Sequence, residues 1–122
     1  MKKLLVLLLS FGFLIAPSIV FGEGIGGTGW FFNEGNADKK IILFEQDLTF
    51  TYLNVVAESG NQGVVYNDEN DTWTLDGDVV VISFNDGYRI VSLIINDRGD
   101  RMTGTAINKM GLVEKVNGRL IK

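Results

Sequence analysis

The chain has 122 residues, 11 basic and 15 acidic, for a net charge of −4, and contains neither histidine nor cysteine. Without His or Cys there is no Ser–His pair, no thiolate nucleophile and no conventional zinc site. The acidic balance disfavours nucleic acid and anionic membrane surfaces as partners.

Residues 1–22 read as a secretory signal. Lys2 and Lys3 form a positive head, Leu4 to Leu9 is an unbroken apolar run, and Phe11 to Ala16 extends it. Pro17 and Ser18 break the helix, and Val20 and Gly22 are small enough for a signal peptidase, so cleavage is expected after Gly22. Pro17 also makes the run too short and interrupted for a comfortable membrane span. No Cys follows it, which excludes a lipoprotein anchor. A secreted or periplasmic domain of Glu23 to Lys122 is expected, with no stable membrane insertion after cleavage. Loss of Lys2 and Lys3 takes the net charge from −4 to −6. No disulfide supports so small a domain, and stability must come from packing and sheet closure.

Glu23 to Gly29 is a Gly-rich lead-in that lacks the Lys-Ser/Thr of a phosphate loop. Trp30 to Asn33 is the first predicted strand, with Trp30 and Phe32 on one face and Phe31 on the other. Glu34 to Asp38 reads as a turn. Lys39 to Gln46 is the second strand, placing Ile42 and Phe44 opposite Ile41 and Leu43. Leu48 to Glu58 is the third, with Leu48, Phe50, Tyr52, Asn54 and Val56 sharing a face; its Leu53/Val55 end implies a bulge or an outer cover.

Ser59 to Gly63 is a loop and Val64 to Tyr66 a short extended piece. Asn67 to Asp71 is the most acidic segment. It fails the EF-hand spacing, because Thr72 and Trp73 stand where Asp/Asn and Gly are needed, and reads as a solvated turn. Asn70-Asp71-Thr72 is also an N-glycosylation triplet.

Thr72 to Leu75 alternates, then Asp76-Gly77 gives a strong hairpin turn. Asp78 to Phe84 is a β-branched strand with Val80, Ile82 and Phe84 facing inward. Asp86-Gly87 marks the next turn. Tyr88 to Asn96 follows, with Ile90 and Ile94 on one face and Val91, Leu93 and Ile95 on the other. Asp97 to Asp100 turns; its Arg98-Gly99-Asp100 tripeptide, which integrins read, is also ordinary hairpin-turn composition. Arg101 to Asn108 places Met102, Gly104 and Ala106 inside and Thr103, Thr105 and Ile107 outside, as suits a crowded point of a barrel. Leu112 to Ile121 is the last strand, with Asn117-Gly118 as a break or bulge.

No helical period follows the leader. About eight strands with short links predict an all-β fold. A single closed or nearly closed eight-stranded antiparallel meander barrel is favoured because closure removes exposed edges; a β-sandwich is the alternative.

Gly27-Thr28-Gly29-Trp30, the Trp73-x-Leu75-x-Gly77 strand, the Met102-to-Thr105 strand and the late Arg119 together resemble a small lipocalin-like barrel of the calycin group, over Gly27 to Lys122. The family pattern is Gly-x-Trp; here Gly27 lies one residue too early and Thr28 occupies the Gly position. The resemblance implies an up-and-down barrel in which Arg119 packs over Trp30 by a cation–π contact.

The function expected is binding of a small apolar ligand inside the barrel, with Phe32, Phe50, Tyr52, Trp73, Phe84 and Tyr88 as the aromatic lining and Asn54 and Ser92 as polar contacts. The alternative is a secreted interaction or inhibitor module with a filled barrel, acting on another secreted protein through loops such as Ser59–Gly63 and Asn67–Asp71. No catalytic residue, cofactor or metal is expected. The acids sit in turns where nothing predicts a raised pKa, so an enzyme is disfavoured.

Overall fold

The structure, a computed structural model, describes residues 24–35, 38–56 and 62–121. The expected signal, residues 1–22, lies outside them, as does most of the Ser59–Gly63 loop. The elements are β1 (Gly29–Glu34), β2 (Asp38–Phe44), β3 (Thr49–Val56), β4 (Val65–Asp76), β5 (Val79–Phe84), β6 (Arg89–Ile95), β7 (Arg101–Asn108) and β8 (Val113–Leu120). Each pairs antiparallel with the next, and β1 pairs with β8 from Trp30↔Leu120 to Glu34↔Val116, closing the barrel in chain order. Among the described residues there is no helix. The meander barrel is therefore the architecture, and the sandwich is not.

Two turns show why the chain reverses where it does. Gly77 takes φ +62° between β4 and β5, a conformation cheap only for glycine. Between β5 and β6, Asn85, Asp86 and Gly87 all have positive φ. That costs something at the two non-glycines, although Asn and Asp tolerate it best. The turn is held from outside itself: Asn85 N–H donates to the Asp71 carboxylate at 2.8 Å and Asp86 N–H to the Asn70 carbonyl at 3.0 Å.

The interior follows the period-2 pattern. Trp30, Phe32, Ile42, Phe44, Phe50, Trp73, Val80 and Ile82 are all at most 1% exposed. These side chains come from β1–β5; β6–β8 turn Val91, Leu93, Met102, Ala106 and Val116 inward, together with Gly104 and Gly118. A Cβ on Gly118 would overlap the Phe32 ring, and one on Gly104 would overlap the Ser92 carbonyl oxygen. The barrel is thus filled by its own side chains, with the Phe32 ring taking the space left by Gly118. One end is closed by the segment before β1. Ile25 is buried there, Gly27 N–H donates to the Phe44 carbonyl, and Trp30 Nε1 donates to Thr28 Oγ1 at 2.9 Å.

Several sequence expectations are corrected. Asn67 to Asp71 is not a solvated turn but the middle of the 12-residue strand β4. The register shift there explains the misreading: between Thr49↔Thr72 and Thr51↔Asn67, β3 advances two residues while β4 advances five. The acidic residues bulge out of the ladder, with Asp68 accepting from Asn70 N–H at 3.0 Å. Leu48 is not a strand residue; its φ is 71° and β3 begins at Thr49. Asn117-Gly118 is neither break nor bulge, since β8 stays in register with β7 through Met102↔Gly118 and Thr103↔Asn117. Arg119 does not cover Trp30. Trp30 points inward, and Arg119, on the outer face, lies 4.8 Å from the centroid of Phe31, its cross-strand partner.

Candidate functional site: the polar mouth of the barrel

Four strands end at the open end of the barrel with a charged residue that keeps inward parity. Glu34 follows Trp30 and Phe32 on β1. Lys40 precedes Ile42 and Phe44 on β2. Arg89 precedes Val91 and Leu93 on β6, and Glu114 precedes Val116 and Gly118 on β8. Antiparallel order brings all four to one level. Glu34 Oε1 accepts from Lys40 Nζ at 2.6 Å and lies 3.1 Å from Arg89 Nη2, which is 3.4 Å from Glu114 Oε1. Side-chain exposure runs 3% for Glu34, 11% for Lys40, 18% for Arg89 and 33% for Glu114. A charge withdrawn from water this far must be paired, and one carboxylate serves both cations.

Aromatic rings form the floor beneath these charges. The Lys40 ammonium lies 5.7 Å from the Tyr52 centroid and 5.6 Å from that of Phe84, and the Arg89 guanidinium lies 5.4 Å from Phe84. All three distances fall within cation–π reach. Tyr52 stacks on Tyr66 at 4.9 Å and meets Phe84 edge-on at 5.1 Å. Burial, helped by the nearby Asp71 carboxylate, pushes the Tyr52 phenol up to about 12. Asp71 itself is 4% exposed, and burial raises its carboxyl above the usual range against the pull of its bond from Asn85. Arg89 Nη1 is buried without a hydrogen-bond partner.

A cavity of about 300 Å³ opens at this mouth. Its walls are Lys40, Arg89, Tyr52 and Phe84, with Asp38, Asn54, Asn85 and Tyr88 around them. Of the aromatic residues expected to line a ligand site, Tyr52, Phe84 and Tyr88 are here, as is Asn54. Phe32, Phe50 and Trp73 are packed in the filled interior below, and Trp73 Nε1 donates to the Glu45 carbonyl near the closed end. Ser92 faces outward on β6 and is not at the mouth. Lys40, Arg89, Glu34 and Glu114 are the residues that sequence reasoning missed. Their signal was parity: each stands two residues along from a core position.

Two other features are set apart from this site. A groove of about 620 Å³ lies outside the barrel at the β4 bulge, between Asp47, Thr49, Val65, Tyr66 and Asn67 to Glu69. It carries three carboxylates and no basic group. In the Arg98-Gly99-Asp100 turn, Arg98 Nε leans to 3.7 Å from Asp100, whose carboxylate accepts from Asn96 Nδ2 at 2.8 Å. The acid of that tripeptide is engaged by its own turn.

No family model matches the sequence, and no match is found among curated proteins. The fold resembles a crystal structure described as that of "a putative beta-lactamase from Burkholderia vietnamiensis", with a TM-score of 0.55 and 14% sequence identity, over 80% of this chain and 93% of that one. At that identity the likeness concerns the barrel fold alone.

Proposed function

We propose that this protein is an exported, lipocalin-like binding barrel that takes one small, partly apolar molecule at its open mouth. The observation that carries this reading is where the space lies. The interior is filled from the Ile25 end up to Phe84, and about 300 Å³ is left at the end where aromatic rings and hydrogen-bonding groups converge. That volume is at the small end of ligand sites, roughly 300–1,000 Å³. Tyr52, Phe84 and Tyr88 offer faces for a planar or apolar body, and Asn54, Asn85, Lys40 and Arg89 offer polar contacts.

The reading is non-enzymatic. The cavity wall carries no Ser, Cys or His. Of its two phenols, Tyr52 and Tyr88, that of Tyr52 is pushed up to about 12, whereas a general base or nucleophile at neutral pH needs a pKa brought down. The beta-lactamase description of the structural neighbour does not change this, because the likeness is one of fold. The test is native mass spectrometry of protein purified from its source. The expected result is a non-covalent adduct of small-molecule mass that Tyr52→Ala loses; a bare polypeptide from both proteins opposes the reading.

A second reading, an interaction or inhibitor module, is favoured by one observation. Ile90, Ile107 and Val113 are cross-strand neighbours on the outer face of β6–β8 and are 38%, 49% and 59% exposed, with Met110 at 84% in the adjoining turn. A contiguous exposed apolar strip of this kind suits a protein partner. An adduct of protein mass in the same spectrum is the outcome that selects it.

A further inference from the structure

The cations at the mouth invite the idea of an anion site, and the count of charges argues against it. Lys40 and Arg89 are the two basic side chains on the cavity wall. Both already share Glu34, and Arg89 also reaches Glu114. Asp38 adds a carboxylate to the same wall. An entering carboxylate therefore meets no free positive charge, and it adds a negative one to a site that already holds more acids than bases. An entering ammonium fares no better. Glu34 is 3% exposed and enclosed by two cations, and on the wall itself Lys40 and Arg89 oppose an ammonium where Asp38 is the one carboxylate.

Hydrogen-bonding capacity tells the complementary half. An ammonium carries three N–H donors and a guanidinium five. Lys40 Nζ uses one donor on Glu34, Arg89 Nη2 turns toward Glu34 and Glu114, and Arg89 Nη1 has no hydrogen-bond partner. The Tyr52 hydroxyl, held protonated well above neutral pH, adds another donor, and the Asn54 and Asn85 side-chain amides add more. The mouth is thus rich in donors, and its two cations are already paired with Glu34 and Glu114.

We infer that the mouth selects an uncharged ligand bearing a hydrogen-bond acceptor, such as an amide or ketone oxygen, on a planar apolar body, and discriminates against carboxylates. This rests on the proposal that the mouth is a binding site, and it adds the class of ligand. The acceptor takes up donor capacity of Lys40 and of the Tyr52, Asn54 and Asn85 side chains without unbalancing the paired cations, while the planar body lies against Tyr52, Phe84 and Tyr88. Leaving such donors unpaired is what makes polar recognition discriminating.

The test uses three probes that share one ring system: 2-naphthamide, 2-naphthoate and 2-naphthylmethylammonium, titrated calorimetrically at pH 7 into the protein as purified from its source. The amide is expected to bind about tenfold or more tighter than either ion. Glu114→Gln removes one acidic charge at a third-exposed position and leaves Glu34 in place. That variant is expected to narrow the gap between naphthoate and naphthamide. Naphthoate or the ammonium binding as tightly as the amide overturns the inference while leaving a binding mouth intact. A Glu114→Gln gap equal to that of the wild type overturns the charge argument. No binding by any of the three overturns the binding site itself.

Discussion

Glu34→Gln isolates the charge at the mouth while keeping the side chain's shape. In the wild type Glu34 Oε1 holds Lys40 at 2.6 Å and Arg89 at 3.1 Å, with the acid 3% and the two bases 11% and 18% exposed. Neutralising the acid leaves two largely desolvated cations with Glu114 as the remaining ion-pair partner among the described residues, and only for Arg89. Breaking a buried pair from one side costs about 3–5 kcal/mol. The partial exposure of the bases and the presence of Glu114 put the expectation at the lower end, about 3 kcal/mol. Against a total of about 5–15 kcal/mol for a domain this size, that is a large share. It corresponds to a drop in Tm of roughly 12–24 °C. Urea unfolding followed by the fluorescence of the buried Trp30 and Trp73 reads it, since both rings lie away from the substitution. The companion variant Glu34→Leu/Lys40→Met/Arg89→Met removes all three charges at once and should recover most of the loss, because apolar replacements of buried ion groups are often neutral or stabilising. A Glu34→Gln protein within about 0.5 kcal/mol of wild type, the usual range for an unconstrained surface position, would refute the reasoning. So would a triple variant no more stable than the single one.

Gly118→Ala should destabilise the barrel by about 1–3 kcal/mol through overpacking against Phe32. Phe32→Leu in the same chain should give a non-additive recovery in denaturant midpoints. Asp71→Ala should cost about 1–3 kcal/mol by stranding the Asn85 N–H that it now accepts, whereas Asp71→Asn should be neutral or stabilising at pH 7. The Asp71 carboxyl is raised in the folded state, so the fold binds more protons than the unfolded chain between the unfolded value of 3.8 and the raised one. Its contribution is present below 3.8 and lost as pH rises through the folded value, and this slope should vanish in Asp71→Asn. The Tyr52 phenol, raised from 10.0 to about 12, acts with the same sign: stability should fall between about pH 10 and 12, and Tyr52→Phe should flatten that limb in a stability-versus-pH series.

Period-2 alternation made the barrel legible. Val80, Ile82 and Phe84 point inward as expected, and so do Met102, Gly104 and Ala106. The turn chemistry of Asp76-Gly77 was equally readable, since it acts over a few residues. What sequence could not show was non-local. The three-residue bulge in β4 depends on a turn between β5 and β6 that hydrogen-bonds to Asn70 and Asp71, so an acidic run that looked like a loop is strand. Gly118 looked like a strand breaker because the Phe32 ring that needs its empty Cβ position is more than 80 residues away. The mouth was half legible. Tyr52, Phe84 and Tyr88, singled out for being aromatic, do line the cavity, although Tyr88 is 46% exposed and shares the outward parity of Ile90. Lys40 and Arg89 were passed over by being charged, even though each continues an inward face. A basic residue at core parity where a strand meets the barrel mouth is a signal that composition alone hides.

The central claim is that small molecules enter the mouth between Lys40, Tyr52 and Arg89, and amide chemical-shift mapping by NMR tests it most directly. Titrating labelled protein with 2-naphthamide should move the backbone amides of Lys40, Tyr52, Asn54, Asn85, Tyr88 and Arg89, the residues around the 300 Å³ cavity. The amides of Thr103 and Thr105, on the outer face of β7, should stay still. Shifts confined to the outer strip of Ile90, Ile107 and Val113, or no shifts at millimolar probe, would contradict the account.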